Sequence, residues 1–249
     1  TPVNKVTLIG ASLFAYKHLE DLCEYIVSRG LELSVSSLSP ECITERLAEL
    51  LRLGGQRTVS IAPDAANAEM WRVIGKGMSE DSILHAAEIL LDHGIRQLKM
   101  YFLVGLPGET MEDVISIARL SRRIADLGYG SRSIHLSINP LIPKPHTPFE
   151  RLGVSPISHL RECLRSIRRE LKGDGRFIIS MLDPRHAQIQ ALLSLGDRRI
   201  GSAIELAAKY GGGLGAWRRA IRECRINLEE YIGGRRDGPL PWNKIKVSP

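Results

Sequence analysis

The short apolar run at residues 98–104 constrains the fold of this chain more than any other feature. It is apolar on both faces of an extended strand and stops at the turn from Gly105 to Glu109. Such a run predicts a strand inside a parallel sheet. Thr110 followed by Asp113 predicts a capped helix start directly after the turn. The stretch is therefore half of a βα unit, in which ligands bind at the carboxyl end of the strand.

The same alternation of strand and helix extends through most of the chain. Apolar runs at residues 5–12, 33–38, 58–62, 98–104, 133–138 and 177–181 predict six strands, and helical periodicity fills the intervals between most of them. Ser39 with Pro40, Ser79 and Thr110 are predicted helix starts. This pattern predicts an α/β fold with a parallel sheet, closed or partly closed into a barrel.

Two proline- and glycine-rich segments interrupt the alternation and suggest domain limits. Four prolines within residues 139–149 exclude a regular strand or helix there and predict an extended loop over the strand ends. Residues 233–249 are rich in glycine and proline with little periodicity, which predicts a loose tail. We therefore predict a barrel at residues 1–150, a last strand and helical extension at residues 151–232, and the tail.

Charge is distributed unevenly along the chain. The first 150 residues contain 15 Lys and Arg against 18 Asp and Glu, whereas the remainder contains 19 against 10. A basic C-terminal part is typical of proteins that bind RNA or an acidic partner. Basic helix faces that are merely solvated explain the same counts, because no aromatic residues interleave with the arginines. Both interpretations remain open at this point.

The cysteines, histidines and apolar runs argue against several classes of protein. Cys23, Cys42, Cys163 and Cys224 are scattered without a CxxC pair, which disfavours a zinc site or a disulfide framework. The seven histidines show no ligand spacing, so no metal ligand is predicted. No apolar run approaches the roughly 20 residues that span a bilayer, and no leader opens the sequence. We expect a cytoplasmic protein with reduced thiols and no membrane partner.

Several stretches in a fixed order carry a family resemblance. They are residues 61–65 with 72–77, residues 99–110, residues 139–149, residues 195–200 and residues 240–245. In these stretches the chain resembles the radical S-adenosylmethionine (radical SAM) superfamily, and most closely its members with a cobalamin-binding-like domain ahead of the radical domain. The resemblance implies three cofactors: S-adenosylmethionine, a [4Fe–4S] cluster and, as a further candidate, cobalamin. It also implies reductive cleavage of S-adenosylmethionine to a 5′-deoxyadenosyl radical, with RNA or a protein as candidate substrates.

One departure from the family pattern decides what this chain can do alone. The family holds its cluster with a CxxxCxxC loop after the first barrel strand, and this sequence has no such loop. The sequence opens at what resembles the second strand. We therefore expect a partial (β/α) barrel of parallel strands that lacks its first strand, with a mostly helical C-terminal extension. The cluster ligands are expected outside these residues, and the chain alone is expected to be inactive.

The resemblance also implies an S-adenosylmethionine site at the strand ends, whereas no catalytic residue is predicted. Its candidate residues are Ser12, Ser36, Asp64, Lys76, Tyr101, Gly105 and Leu141. The two serines and Asp64 are expected to form hydrogen bonds with the ligand, and Lys76 or Arg72 is expected to pair with its carboxylate. Residues 101–105 are expected to flank the adenine ring, and the backbone near Leu141 and Ile142 is expected to bind the edge of that ring.

Each candidate also has a purely structural interpretation. Gly105 suits the turn itself, Asp64 suits a helix cap, Tyr101 suits the core, and Arg72 and Lys76 share a face if their segment is helical. Two other functions remain as alternatives. The first is a non-catalytic α/β scaffold that binds RNA or a protein through its basic C-terminal part, and the second is a phosphate-binding barrel enzyme that uses the turn at Gly105.

Overall fold

A computed structural model describes residues 3–10 and 13–245 of the chain. The strands are β1 (Lys5–Leu8), β2 (Glu32–Val35), β3 (Thr58–Asp64), β4 (Gln97–Val104), β5 (Ile134–Pro140) and β6 (Phe177–Met181). The helices are α1 (Leu19–Ser28), α2 (Glu45–Leu53), α3 (Ala68–Val73), α4 (Glu80–Asp92), α5 (Met111–Asp126), α6 (Ile157–Glu170), α7 (Pro184–Leu195), α8 (Ile200–Lys209), α9 (Leu214–Glu223) and α10 (Leu228–Ile232). Short 3₁₀ helices occupy Leu13–Ala15 and Pro40–Cys42.

The strands form two parallel arrangements. Strand β1 pairs with β2 in parallel, and the second sheet has the order β3-β4-β5-β6, with parallel registers between β3 and β4 and between β5 and β6. A single parallel bridge between Leu38 and Ile61 links the segment after β2 to β3. The predicted α/β architecture with parallel strands and a mostly helical C-terminal part is therefore confirmed.

The pattern of burial along β4 shows what holds the sheet in place. Leu98, Met100, Phe102 and Val104 are at most 1% exposed, because alternate side chains of a strand point to the same face and this face is covered. The residues between them are only half-buried, and β5 repeats the pattern. One face of the sheet thus forms the core, and the other remains partly open.

Two of the predicted helix starts are confirmed and one is corrected. Ser79 and Thr110 each form a capping box with the residue three positions on. Helix α2, however, begins at Glu45 with Thr44 as its cap, because Pro40 opens only a 3₁₀ turn. The connection after β3 contains the short helix α3, which ends before Lys76. Arg72 and Lys76 therefore do not share a helix face.

The chain divides into two compact units. The first comprises Thr1–Asn139 and Cys163–Met181, and the second comprises Pro140–Glu162 and Leu182–Pro249. The first unit contains the paired strands, and α7 to α10 lie in the second. This geometric partition does not test the predicted functional division at residues 150 and 232, which stays a prediction. No helix in the described ranges combines the length and apolar character that crossing a bilayer requires.

Part of the segment predicted to be a loose tail is anchored in the second unit. Leu240 and Trp242 are 5% exposed and pack with Leu195. The indole Nε1 of Trp242 donates to Glu150 at 2.6 Å, and the Arg236 guanidinium lies 5.1 Å from the Trp242 ring. The prediction of a loose tail is therefore corrected for these residues, because two large apolar side chains anchor an otherwise irregular segment.

Candidate functional site

The carboxyl end of β3 departs from regular strand geometry. Ile61 lies opposite Met100 on β4 and Asp64 lies opposite Phe102, so β3 contains one extra residue there. Asp64 also has a φ angle of 61°, in the left-handed region that few residues other than glycine adopt. Bulges and positive φ angles cluster at functional sites, where they re-aim a side chain. This end of β3 is therefore the first place to look for a ligand site.

Helix α3 and the loop after it hold the distorted end of β3. The Lys76 ammonium Nζ donates to the Ala62 carbonyl at 2.6 Å and pairs with the Asp64 carboxylate at 2.5 Å. The Trp71 indole Nε1 donates to the Pro63 carbonyl at 3.1 Å. We call these five residues the β3 clamp. Because three consecutive residues of β3 each have a partner from one short segment, the position of the Asp64 carboxylate is well defined.

A cleft of about 370 Å³ opens beside the β3 clamp. Its lining comes from the 3₁₀ helix after β1, the segment after β2, the end of β3 and the loop after α3. It consists of Leu13, Ser37, Leu38, Ser39, Glu41, Ala62, Lys76, Gly77 and Met78. These elements place the cleft at the carboxyl ends of two neighbouring parallel strands. The cleft therefore lies where parallel α/β proteins bind their ligands.

Ser36 lies between the end of β2 and this cleft. Its backbone N–H donates to the Leu8 carbonyl at 3.1 Å. Its hydroxyl Oγ is buried and has no hydrogen-bond partner within the part of the chain that the structure describes. Buried hydroxyls in native proteins nearly always have a partner, so an unsatisfied one indicates a missing ligand or water. Ser36 thus carries a buried hydroxyl without a partner in the described ranges, and it directly precedes the cleft-lining residue Ser37 in the chain.

The turn after β4 encloses a perturbed carboxyl group. Gly105 has a φ angle of 80°, and its N–H donates to the Glu109 carboxylate at 2.6 Å. Burial raises the pKa of Glu109 to about 7, and the negative charge of Asp113 adds to this, whereas the N–H groups of Gly105 and Leu106 oppose it. Gly105 therefore serves the turn geometry, and a direct role in ligand binding stays a prediction.

A polar row crosses the half-buried face of the second sheet. The Lys99 ammonium lies 5.0 Å from the Tyr101 ring centroid. His135 Nε2 and Ser180 Oγ are 2.8 Å apart, and burial together with Lys99 lowers the pKa of His135. Tyr101 is therefore on the partly open face instead of in the core. Its predicted place beside adenine is untested.

The structure brings together only some of the predicted site residues. Asp64 and Lys76 contact each other, and Lys76 lines the cleft. Ser36 precedes the cleft-lining residue Ser37 in the chain, but neither Ser36 nor Asp64 is itself among the described lining residues. Tyr101 and Gly105 do not line that cleft. Leu141 belongs to the second unit and is 9% exposed, and Ser12 lies outside the described residues.

Two contributors to the site were missed by the sequence analysis. Trp71 carries no local signal for its bond to the Pro63 carbonyl. Glu109 could have been suspected only from its position, four residues after Gly105 in a glycine-rich turn.

The cysteines of the described residues do not fit an iron–sulfur cluster. A cluster site needs three thiolates close together, and no group of potential ligands in the described ranges contains three cysteines. Burial raises the pKa of Cys23 to about 11, with a further contribution from Glu20, and it also raises the pKa of Cys42. Both thiols are therefore protonated at neutral pH, whereas a metal ligand must be deprotonated.

Comparison with known proteins gives consistent matches. A family model described as the radical SAM superfamily matches residues 1–121. The uncharacterized protein MJ0966 of Methanocaldococcus jannaschii is 29% identical over 246 residues, which cover 98% of this chain and 51% of that protein. The uncharacterized methyltransferase PH0819 of Pyrococcus horikoshii is 26% identical over 119 residues, which cover 47% of this chain and 26% of that protein. The chain thus spans about half or less of these relatives.

A solved structure agrees with the family match. Coproporphyrinogen III oxidase (HemN) from Escherichia coli, a radical SAM enzyme, superimposes with a TM-score of 0.51 at 16% identity, over 68% of this chain and 40% of that chain. At this identity the likeness concerns the fold alone. The resemblance to the radical SAM superfamily therefore rests on the family match over residues 1–121, which make up just under half of the chain.

Proposed function

We propose that the first unit binds S-adenosylmethionine at the ends of β2 and β3, as one part of a radical SAM enzyme. The observation that carries this proposal is the buried Ser36 hydroxyl, which has no hydrogen-bond partner among the described residues and directly precedes the cleft-lining residue Ser37. The β3 clamp, whose Lys76 lines the same cleft, supports it. S-adenosylmethionine offers ribose hydroxyls, an amino group and a carboxylate. These groups match a serine hydroxyl, a carboxylate and an ammonium in chemistry.

Each residue has a separate task in this proposal. Ser36 exchanges hydrogen bonds with the ligand through its buried hydroxyl. Asp64 is 24% exposed and pairs with Lys76 through Oδ2, and its Oδ1 has no partner in the described ranges, so Oδ1 accepts a ribose hydroxyl. Lys76 fixes the position of Asp64. When bound beside a reduced cluster, S-adenosylmethionine supplies the 5′-deoxyadenosyl radical, and the protein supplies orientation and exclusion of water.

The binding site is tested by titrating S-adenosylmethionine into the 249-residue chain in a calorimeter, without a cluster. We expect saturable binding that weakens about 10-fold in Ser36→Ala, because a buried hydrogen bond to the ligand is lost. Ser34→Ala, two residues earlier on β2 and half-buried, is the matched control and should leave the affinity unchanged. Absence of binding, or an equal effect of the two substitutions, would refute the site.

The absence of a cluster from this chain alone is a second proposal. Anaerobic treatment of the 249-residue chain with iron and sulfide should yield no cluster absorbance and no cleavage of S-adenosylmethionine. A longer product of the same gene that contains a CxxxCxxC loop should yield both. Formation of a [4Fe–4S] cluster on these residues would contradict the proposal. Cobalamin remains a candidate cofactor of the longer protein, and spectroscopic titration tests it.

The charge of the second unit favours one alternative function. This unit contains 15 Lys and Arg against 9 Asp and Glu, whereas the first unit contains 19 of each, so the whole net charge of +6 belongs to the second unit. An RNA-binding role predicts an affinity that falls steeply as salt is added, because bound phosphates release counterions. Affinity for an RNA oligonucleotide that did not change with salt would remove this alternative.

A further inference from the structure

The second unit contains a cleft that plays no part in the proposed S-adenosylmethionine site. It has a volume of about 360 Å³, within the roughly 300–1,000 Å³ of small-molecule sites. Its floor is aliphatic and consists of Ile157, Ile189, Leu214, Ile221, Ile226 and Leu228. Ile189 and Ile221 belong to the core of the unit, and Leu214, Ile226 and Leu228 pack against that core while staying partly exposed. The cleft therefore offers apolar surface to a ligand.

Two arginines that form no salt bridge among the described residues line the same cleft. Arg218 and Arg222 stand one turn apart on α9, both are exposed, and neither has an ion pair or side-chain hydrogen bond in the described ranges. Like charges at this spacing repel each other. A third arginine of the lining, Arg185, forms bidentate hydrogen bonds with the Asp183 carboxylate. The cleft thus combines an aliphatic floor with two guanidinium groups that have no salt-bridge partner in the described ranges, although the charge of Arg222 is felt by the neighbouring Glu223.

Other cations of the same helix are neutralised. Arg219 donates to Glu223 at 2.8 Å, and its guanidinium lies 4.0 Å from the Tyr210 ring centroid. The surface of α9 is therefore not uniformly basic, as a helix that lies on an anionic membrane would be. Of the three arginines of α9, the two that line the cleft are therefore the ones without a salt bridge among the described residues.

We propose that this cleft binds a free amphiphilic anion, a single aliphatic chain that ends in a carboxylate or phosphate. The chain packs on the aliphatic floor, and burial of its methylene groups drives binding. The headgroup accepts charge-assisted hydrogen bonds from Arg218 and Arg222, whose planar donor groups match carboxylate and phosphate geometry. Among the described residues no aromatic side chain lines the cleft, so stacking of a nucleobase does not explain it.

The proposal is tested by titrating decanoate, below its micelle-forming concentration, into the 249-residue chain. We expect one saturable site, and no saturation by acetate or by decyltrimethylammonium, which lack the chain and the negative charge respectively. The double variant Arg218→Gln/Arg222→Gln should bind about 10-fold more weakly or worse, because two charge-assisted contacts are lost. Arg219→Gln is the matched control on the same helix and should keep the wild-type affinity.

Further measurements separate the remaining outcomes. Ile226→Ser should also weaken binding of decanoate, and thermal unfolding of each variant confirms that it is folded. Equal binding of decanoate and decyltrimethylammonium, or unchanged affinity in the double arginine variant, would overturn the proposal. If the chain sediments with vesicles of phosphatidylcholine and phosphatidylglycerol but does not bind free decanoate, the ligand is a membrane surface. That result would also overturn the proposal.

Discussion

Replacement of Glu109 by glutamine should stabilise the fold at alkaline pH and have little effect in acid. Burial raises the pKa of this carboxyl from 4.5 to about 7. At about 1.4 kcal/mol per pKa unit, the upper limit of the effect is about 3 kcal/mol. Because Glu109 is partly exposed, solvent screening reduces the expected change to about 1–2 kcal/mol.

The sign of this pH dependence follows from how tightly the folded and the unfolded chain hold the proton of Glu109. The folded state holds the proton of Glu109 more tightly than the unfolded chain does, so the stability it contributes is complete below the unfolded pKa. That stability is lost as the pH rises from 4.5 through about 7, where the buried carboxyl becomes charged. Glutamine has the same shape, still accepts the Gly105 N–H, and never ionises.

The assay is urea unfolding followed by circular dichroism, at about pH 5 and about pH 8.5, on either side of the shifted pKa. The difference in unfolding free energy between Glu109→Gln and wild type should grow from the lower to the higher pH. Glu112→Gln is the control, because Glu112 is exposed on the same first turn of α5. The reasoning is refuted if the difference is the same at both pH values, or if glutamine is destabilising at the higher one.

Three further predictions concern the β3 clamp and the C-terminal anchor. Lys76→Met should destabilise the chain by about 1–3 kcal/mol, because the Ala62 carbonyl and the Asp64 carboxylate both lose their partner; urea unfolding measures this, and wild-type stability would contradict it. Asp64→Asn should change the free energy of unfolding by less than about 1 kcal/mol, because asparagine also tolerates a positive φ. Calorimetry of the same variant should show weaker binding of S-adenosylmethionine. Trp242→Ala should lower stability by about 3 kcal/mol, because a side chain that is 5% exposed and bonded to Glu150 is removed; thermal unfolding tests this, and an unchanged midpoint would show that the segment is loose after all.

The β4–α5 unit could be predicted from the sequence because all its determinants are local. The apolar run, the turn at Gly105 and the capping box of Thr110 and Asp113 lie within 16 consecutive residues. Periodicity and capping depend on neighbours along the chain, so a single sequence displays them directly. The parallel pairing of the strands followed from the same alternation.

The candidate site was only partly predictable because its contacts are not local. Asp64 and Lys76 were each expected to bind a ligand, but their contact depends on the bulge in β3 and on α3. Helix α3 has six residues, too few to display a helical period. The anchor at Trp242 depends on Glu150, which lies 92 residues away, and no pattern in the sequence reports such a pair.

The ion pair between Lys76 and Asp64 is compatible with ligand binding by both residues. An ammonium group has three N–H donors, and the Ala62 carbonyl and Asp64 use two of those on Lys76. Since Lys76 also lines the cleft, its third donor remains for a ligand carboxylate. A lysine held on two sides loses less conformational freedom on binding than a free one. The clamp thus orients the ammonium in advance, and we propose that Lys76 binds the ligand carboxylate in addition to holding Asp64.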